Sequence, residues 1–314
     1  MKNKKLTTIV TLVCLLLTFS INLFGCQQQV QTPTPPANLV VQIYHDVIYL
    51  GGDRVLDVNQ WGEYRIWVYD RSIRGDADPL VSKEVWGDWT SIDCYHELIY
   101  LGNDRVLDWN WTNGDYRIWV YDRNVRGNHD PFPGDPEVYG TWSSIKGPGE
   151  EGDVRLIYLN NDRVLEWHEN DGSYRIWVYD RSKRGNSDPF PGDPEAYGTW
   201  YSITEDDKDM LAYIGRNDVL EVDNDGNYCV WWYNRNLRGK ADVLTDCQNR
   251  GQWETIKSYG FFFAFEFIYL DNDRLLVRED EGKYRIYVID RDASHDQDPL
   301  PGGPEVYGTW RTLV

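Results

Sequence analysis

Apolar and polar residues alternate along most of this chain with a period of two, in short runs broken by Gly, Asn, Asp and Pro, and no segment of the repeating region carries a helical period. From Glu97 an apolar run extends to Leu101, and Gly102-Asn103 supplies turn chemistry before a second run over Asp104–Trp109. Asn113-Gly114 is a strong hairpin signal, and a third run follows over Tyr116–Asp122. A Pro/Gly-rich loop then leads to a fourth, Gly140–Ile145. In the third run Tyr116, Ile118 and Val120 alternate with Arg117, Trp119, Tyr121 and Arg123. Neither set is plainly polar, so both faces of the strand are expected to be covered.

This pattern repeats. Tyr-Arg-Ile-Trp-Val-Tyr-Asp-Arg stands unchanged at 64–71, 116–123 and 174–181, with diverged copies at 228–235 and 284–291. The repeats span about 44–93, 95–146, 152–204, 208–257 and 261–314. Self-similarity at roughly 50–60 residues marks a propeller, solenoid or array. Four antiparallel strands in each of five copies predict an all-β fold, a five-bladed β-propeller over 38–314. An open linear β array is the alternative. Asn38–Ile43 aligns with the fourth strand of a repeat, yet the last repeat ends in its own, Gly308–Val314, so the first segment either closes the ring or is a surplus edge. Repeat four has lost the Asp-Pro-Phe-Pro-Gly loop and carries Asn217-Asp218 in place of Asp-Arg, so it is the blade expected to lack a site.

The first 25 residues differ in kind. Lys2, Lys4 and Lys5 precede a mostly apolar stretch from Leu6 to Phe24, which reads as an export signal. Residues 26–37 form a Gln/Thr/Pro tether too polar to pack. Removing the signal takes away three lysines and no acid, so the formal charge moves from −19 to −22. Such a surface repels nucleic-acid phosphates and anionic lipid, and it is expected to keep the protein soluble and monomeric. Of the cysteines, Cys14 lies in the signal and Cys26 follows it. Cys229 and Cys247 lie on adjacent strands of repeat four and are candidates for a disulfide, with Cys94 left over. Their spacing matches no zinc pattern.

Three features could carry chemistry. The loop after the third strand repeats Arg-Gly and Asp-Pro, as Arg126 and Asp130 in repeat two and Arg184 and Asp188 in repeat three. These residues either hydrogen-bond a neutral polyol or tie the loop to its own blade. Aromatic residues are the second, with 15 Trp and 22 Tyr in the chain. Trp109 and Trp167 end the second strand where Val58, Val222 and Val277 stand in other copies, and Tyr139, Tyr197, Tyr307 and Trp86 precede the closing glycine. Flat rings with a polar edge suit sugars and protein interfaces, or simply pack. Loop and aromatics together nominate Trp109, Arg126, Asp130, Tyr139, Trp167, Arg184, Asp188 and Tyr197 as ligand-binding residues. Oxygen-rich loops at 223–227 and 271–273 are the third: they suggest calcium, but they also sit where hairpin turns need Asn, Asp or Gly. No catalytic motif is present, and five near-copies of the same positions suit a multivalent binder better than a single catalytic centre.

Leu23-Phe24-Gly25-Cys26 resembles the lipobox of bacterial lipoproteins. That resemblance implies acylation of Cys26 and a lipid anchor at the cell membrane or outer membrane, the only expected membrane contact. The plan of five short four-stranded repeats is similar to tachylectin-2-type lectin propellers, which implies a sugar site per blade. The expected function is therefore carbohydrate binding at the envelope, with a glycan or an envelope protein as partner. A protein-interaction scaffold and a five-bladed glycoside hydrolase are the alternatives.

Overall fold

The computed structural model describes residues 45–89, 92, 96–142, 145, 154–200, 203, 210–223, 225–253, 266–279, 283–293 and 298–310. Asn38–Ile43, the signal, the tether, Cys26 and Cys94 lie outside them. The described residues contain no helix and form twenty strands. Blade one comprises β1 (His45–Tyr49), β2 (Arg54–Asn59), β3 (Glu63–Tyr69) and β4 (Leu80–Asp88). Blade two comprises β5 (His96–Tyr100), β6 (Arg105–Asn110), β7 (Asp115–Val120) and β8 (Val138–Thr141). Blade three comprises β9 (Val154–Tyr158), β10 (Arg163–His168), β11 (Ser173–Val178) and β12 (Ala196–Thr199). Blade four comprises β13 (Met210–Tyr213), β14 (Asp218–Val222), β15 (Asn227–Tyr233) and β16 (Leu244–Gln252). Blade five comprises β17 (Glu266–Tyr269), β18 (Arg274–Arg278), β19 (Lys283–Val288) and β20 (Val306–Thr309). Each sheet holds four consecutive strands in sequence order, and the whole is a five-bladed β-propeller.

The innermost strands touch around the ring, β17 meeting β1 as β1 meets β5. The apolar core is divided among the five seams between blades. Leu107, Trp109 and Ile118 of blade two meet Val164 and Phe190 of blade three, and Val47 and Val55 of blade one meet Ile286 and Trp310 of blade five. The two apolar faces of each third strand follow directly, because every blade is covered on both sides.

Two polar devices recur at the seams. The last Arg of the repeated octapeptide reaches back to the preceding blade. Arg123 bonds Asp104 Oδ1 at 2.5 Å in its own blade, then the carbonyls of Leu50 and Gly51 at 2.6 and 2.9 Å. Arg71 makes the same reach to the Leu270 carbonyl at 2.6 Å, so the seam between blades five and one is closed as the others are. The second device is the Arg-Gly loop. Gly127, Gly185, Gly239 and Gly75 each form a one-residue parallel bridge to the outer strand of the preceding blade. Gly185 sits there at φ +59°, a left-handed conformation that favours glycine.

One boundary differs from the sequence pattern. The fourth strand of blade two runs over Val138–Thr141, not Gly140–Ile145. Trp142 leaves the sheet to stack on Tyr116, with centroids 4.1 Å apart and planes 18° apart. The invariant closing glycine has the same cause. A Cβ on Gly140 would lie 2.6 Å from the Tyr116 hydroxyl oxygen.

Candidate functional site

The nominated residues separate into three groups. Trp109 and Trp167 are 0 % and 2 % exposed and belong to blade cores, so neither ring can present a face to a ligand. Their position in blade five is filled by Arg278, not Val277. Arg278 pairs with Glu266 and Tyr284 in the register in which Trp109 pairs with Glu97 and Tyr116.

Arg126 and Arg184 are braces between blades in this structure. Arg184 lies 2.7 Å from Glu137 of the preceding blade, a carboxylate that Arg105 of its own blade also holds at 3.1 and 3.3 Å. Arg126 stands in the same relation to Glu84 at 3.5 Å, Arg238 to Glu195 at 2.6 Å and Arg74 to Glu305 at 3.2 Å. Asp130 and Asp188 accept the backbone N–H of Phe132 and Phe190, both at 2.9 Å, and Asp188 also faces the Trp142 indole N–H at 3.4 Å. The loop is thus tied both to its own blade and to the neighbouring one.

Tyr139 and Tyr197 remain. Both are 45 % exposed on the outer strand, as are Trp86 at 39 % and Tyr307 at 48 %. Strand register shows what lies beside them. Tyr139 pairs with Arg117, Tyr197 with Arg175, Trp86 with Arg65 and Tyr307 with Arg285. Directly opposed residues share a face and interact, so each exposed ring has a guanidinium as its neighbour.

That guanidinium is anchored from below. One strand further in, Arg175 pairs with Glu166, Arg117 with Asp108 and Arg65 with Asp57, all buried acids. Glu166 takes Arg175 Nη1 at 2.7 Å, Trp177 Nε1 at 2.6 Å and His168 Nε2 at 2.8 Å. Asp108 faces Arg117 at 3.6 Å and Trp119 Nε1 at 3.5 Å, and bonds His96 Nδ1. Buried charge is tolerated here because it is paired and hydrogen-bonded.

Blades four and five show the logic by departing from it. In blade five Val277 replaces the acid and Tyr287 the indole, while Arg285 turns to Glu279 at 2.5 Å. In blade four Cys229 replaces the arginine and is disulfide-bonded to Cys247, and Arg250 replaces the exposed aromatic. Glu221, left with the Trp231 indole and no arginine, is pushed up to about 7 by burial, against the lowering effect of that hydrogen bond. Blade four has therefore lost the arginine and the ring together.

In blade three Arg175, Tyr197, Asp193, Pro194, Tyr174 and Gly198 line an open cleft. Arg117, Tyr139, Asp135 and Pro136 hold the matching places in blade two. The tyrosines stand out in the sequence, whereas the arginines do not. The usable signal was the alternation that sets Arg117 on the face of Trp119, together with the acid that follows Val-Leu in every repeat that keeps the indole.

The oxygen-rich loops are hairpin turns. Asp223 accepts the Asn227 N–H at 2.7 Å, and Asp273 holds Arg291 Nε at 2.8 Å. Among the described residues no group of three or more His, Cys, Asp or Glu is arranged to hold a metal. Near the axis, Asp46 accepts from the Leu98 N–H and Glu266 from the Val47 N–H, stitching inner strands together. Burial raises Asp46 to about 8 and Glu97 to about 7.

No family model matches the sequence, and no curated protein matches it. Among solved structures the fold is similar to the crystal structure of Kluyvelomyces marxianus Hsv2, at 8 % identity and TM-score 0.36, covering 81 % of this chain and 80 % of that one. It is also similar to a chain in the crystal structure of an active polycomb repressive complex 2 in the basal state, at 12 % identity and TM-score 0.38, covering 84 % of this chain and 52 % of the other. At these levels neither likeness informs function.

Proposed function

We propose that the chain is a multivalent carbohydrate-binding ring held at the bacterial envelope by a lipid on Cys26. One observation carries the binding half of this reading. An exposed aromatic ring lies beside an arginine in four blades, opposite a buried acid in three of them, and blade four has lost both ring and arginine. A ring offers the apolar C–H face of a sugar a platform, and a guanidinium held by a buried acid donates in a fixed direction at little further entropy cost. A single such contact is weak, but several on one rigid body raise avidity toward a polymeric surface by roughly 10²–10⁴.

The test is binding to an immobilised neutral polysaccharide. Tyr139→Ala combined with Tyr197→Ala should remove most of the binding while the melting curve stays near that of the parent, since both rings are exposed. Retention of full binding by the double variant would refute the reading. Hydrolysis is less well supported, because Asp46 and Glu266 are occupied by backbone N–H groups of the next blade.

A further inference from the structure

We infer that, resting on this reading, the cleft of blade three and the matching residue set of blade two are the only complete sites, and that each takes a neutral pyranose through a vicinal pair of hydroxyls. The four aromatic–arginine pairs are not equivalent. In blades two and three the Pro-Gly-Asp-Pro loop adds an exposed carboxylate, Asp135 or Asp193, on a residue whose backbone is restricted by the proline that follows it. Blade five has Gly303 at that place and blade one has Ser82. In blade one, moreover, the Lys83 ammonium lies 4.7 Å from the Trp86 ring centre and occupies that face.

Unused hydrogen-bonding capacity points to the same two blades. Arg175 commits Nη1 to Glu166, and Arg117 directs Nη1 at Asp108. Among the described residues neither guanidinium makes a hydrogen bond to protein through Nε or Nη2, and the carboxylates of Asp135 and Asp193 and the hydroxyls of Tyr139 and Tyr197 have no protein partner. Each cleft therefore combines a planar donor edge, an acceptor-only carboxylate and an exposed ring. A hydroxyl both donates and accepts. Two neighbouring hydroxyls on a ring satisfy the carboxylate with one O–H and the guanidinium with one oxygen, while the sugar C–H face lies on the tyrosine.

Charge selects against anions. The arginine is already balanced by its buried acid, so the second carboxylate leaves the cleft of blade three, built on Arg175, Glu166 and Asp193, with one negative charge. A uronate or phosphate would be repelled, and the adjacent guanidinium disfavours a cationic ligand. Neutral sugars are what this combination accepts.

Ligand-observed saturation-transfer NMR on the exported domain tests this with methyl α-glucopyranoside, methyl α-mannopyranoside, methyl β-galactopyranoside and methyl β-glucuronide. The parent should bind at least one neutral glycoside and discriminate against the glucuronide. Asp135→Asn with Asp193→Asn should weaken the neutral ligand roughly tenfold and narrow its margin over the glucuronide by a similar factor. Gly303→Asp in blade five should leave the parental margin unchanged or widen it. Equal binding of neutral and acidic glycosides by the parent, or an unchanged margin in the double Asn variant, overturns the inference while leaving carbohydrate binding standing. No response to any of the four glycosides, with no retention on neutral polysaccharide, overturns both.

Discussion

Replacing Arg126 and Arg184 by Ala separates a brace from a ligand contact. Arg184 donates to the carbonyls of Arg181 and Lys183 at 2.7 and 2.6 Å and approaches Glu137 at 2.7 Å. Arg126 donates to the carbonyls of Arg123 and Val125, both at 2.6 Å, and lies 3.5 Å from Glu84. The arginine side chains are 49 % and 56 % exposed, so their ion pairs are screened and contribute well under about 1 kcal/mol. The carbonyls they leave lie on the surface and rehydrate, and Arg54 and Arg105 still hold Glu84 and Glu137, so no buried charge is orphaned. At most about 1 kcal/mol per site follows. The two sites belong to different seams and should add, giving at most about 2 kcal/mol in all. At about 2 cal/mol/K per residue over the five blades, that corresponds to a fall in Tm of up to about 4 °C. Thermal melting followed by tryptophan fluorescence reads the effect, with polysaccharide binding measured well below the transition. The braced seam predicts lowered Tm and retained binding. An unchanged Tm with lost binding would mean that these guanidinium groups face a ligand, and the seam assignment would be wrong.

Three further outcomes are expected. Gly140→Ala places a methyl 2.6 Å from a Tyr116 hydroxyl that also donates to Ser187 O at 3.1 Å, and should cost about 1–3 kcal/mol in a denaturant titration. Glu221 has a folded pKa of about 7 against an unfolded value near 4.3, so its contribution to stability is present in full below pH ~4.3 and is lost as pH rises to about 7. Glu221→Gln should therefore flatten the fall in Tm over that window, and an identical slope in the variant would refute the assignment. Cys26→Ser should release the protein from the membrane fraction, because stable anchoring requires the several acyl chains of lipoprotein processing; an unchanged fraction would reject the lipobox reading.

The blade plan was legible because strand period, hairpin turns and repeat length are local properties, and all three agree in every copy. The site was legible only in part. Tyr139 and Tyr197 stood out as aromatics before the closing glycine, but Trp109 and Trp167 looked equivalent to them and are core. Sequence shows that a ring is present, whereas its exposure depends on which strand is outermost and how blades overlap. The surroundings of the repeated arginines were illegible for a related reason. Arg126 and Arg184 serve the neighbouring blade, a partner about fifty positions away in the chain. By contrast, Arg117 and Arg175 sat inside the strand motif that defined the repeat, where invariance reads as structure. Their significance emerged only from the register that sets each between a buried acid and an exposed ring.

The most direct test of the account is a crystal structure of the domain after soaking in a neutral methyl glycoside at high concentration. The predicted result is sugar density stacked on Tyr139 and Tyr197, within hydrogen-bonding distance of Arg117 with Asp135 and of Arg175 with Asp193, and none at the corresponding place in blade four. Density confined to the ring axis beside Asp46, Glu97 and Glu266, with the outer clefts empty, would contradict it and move the site to the centre of the propeller.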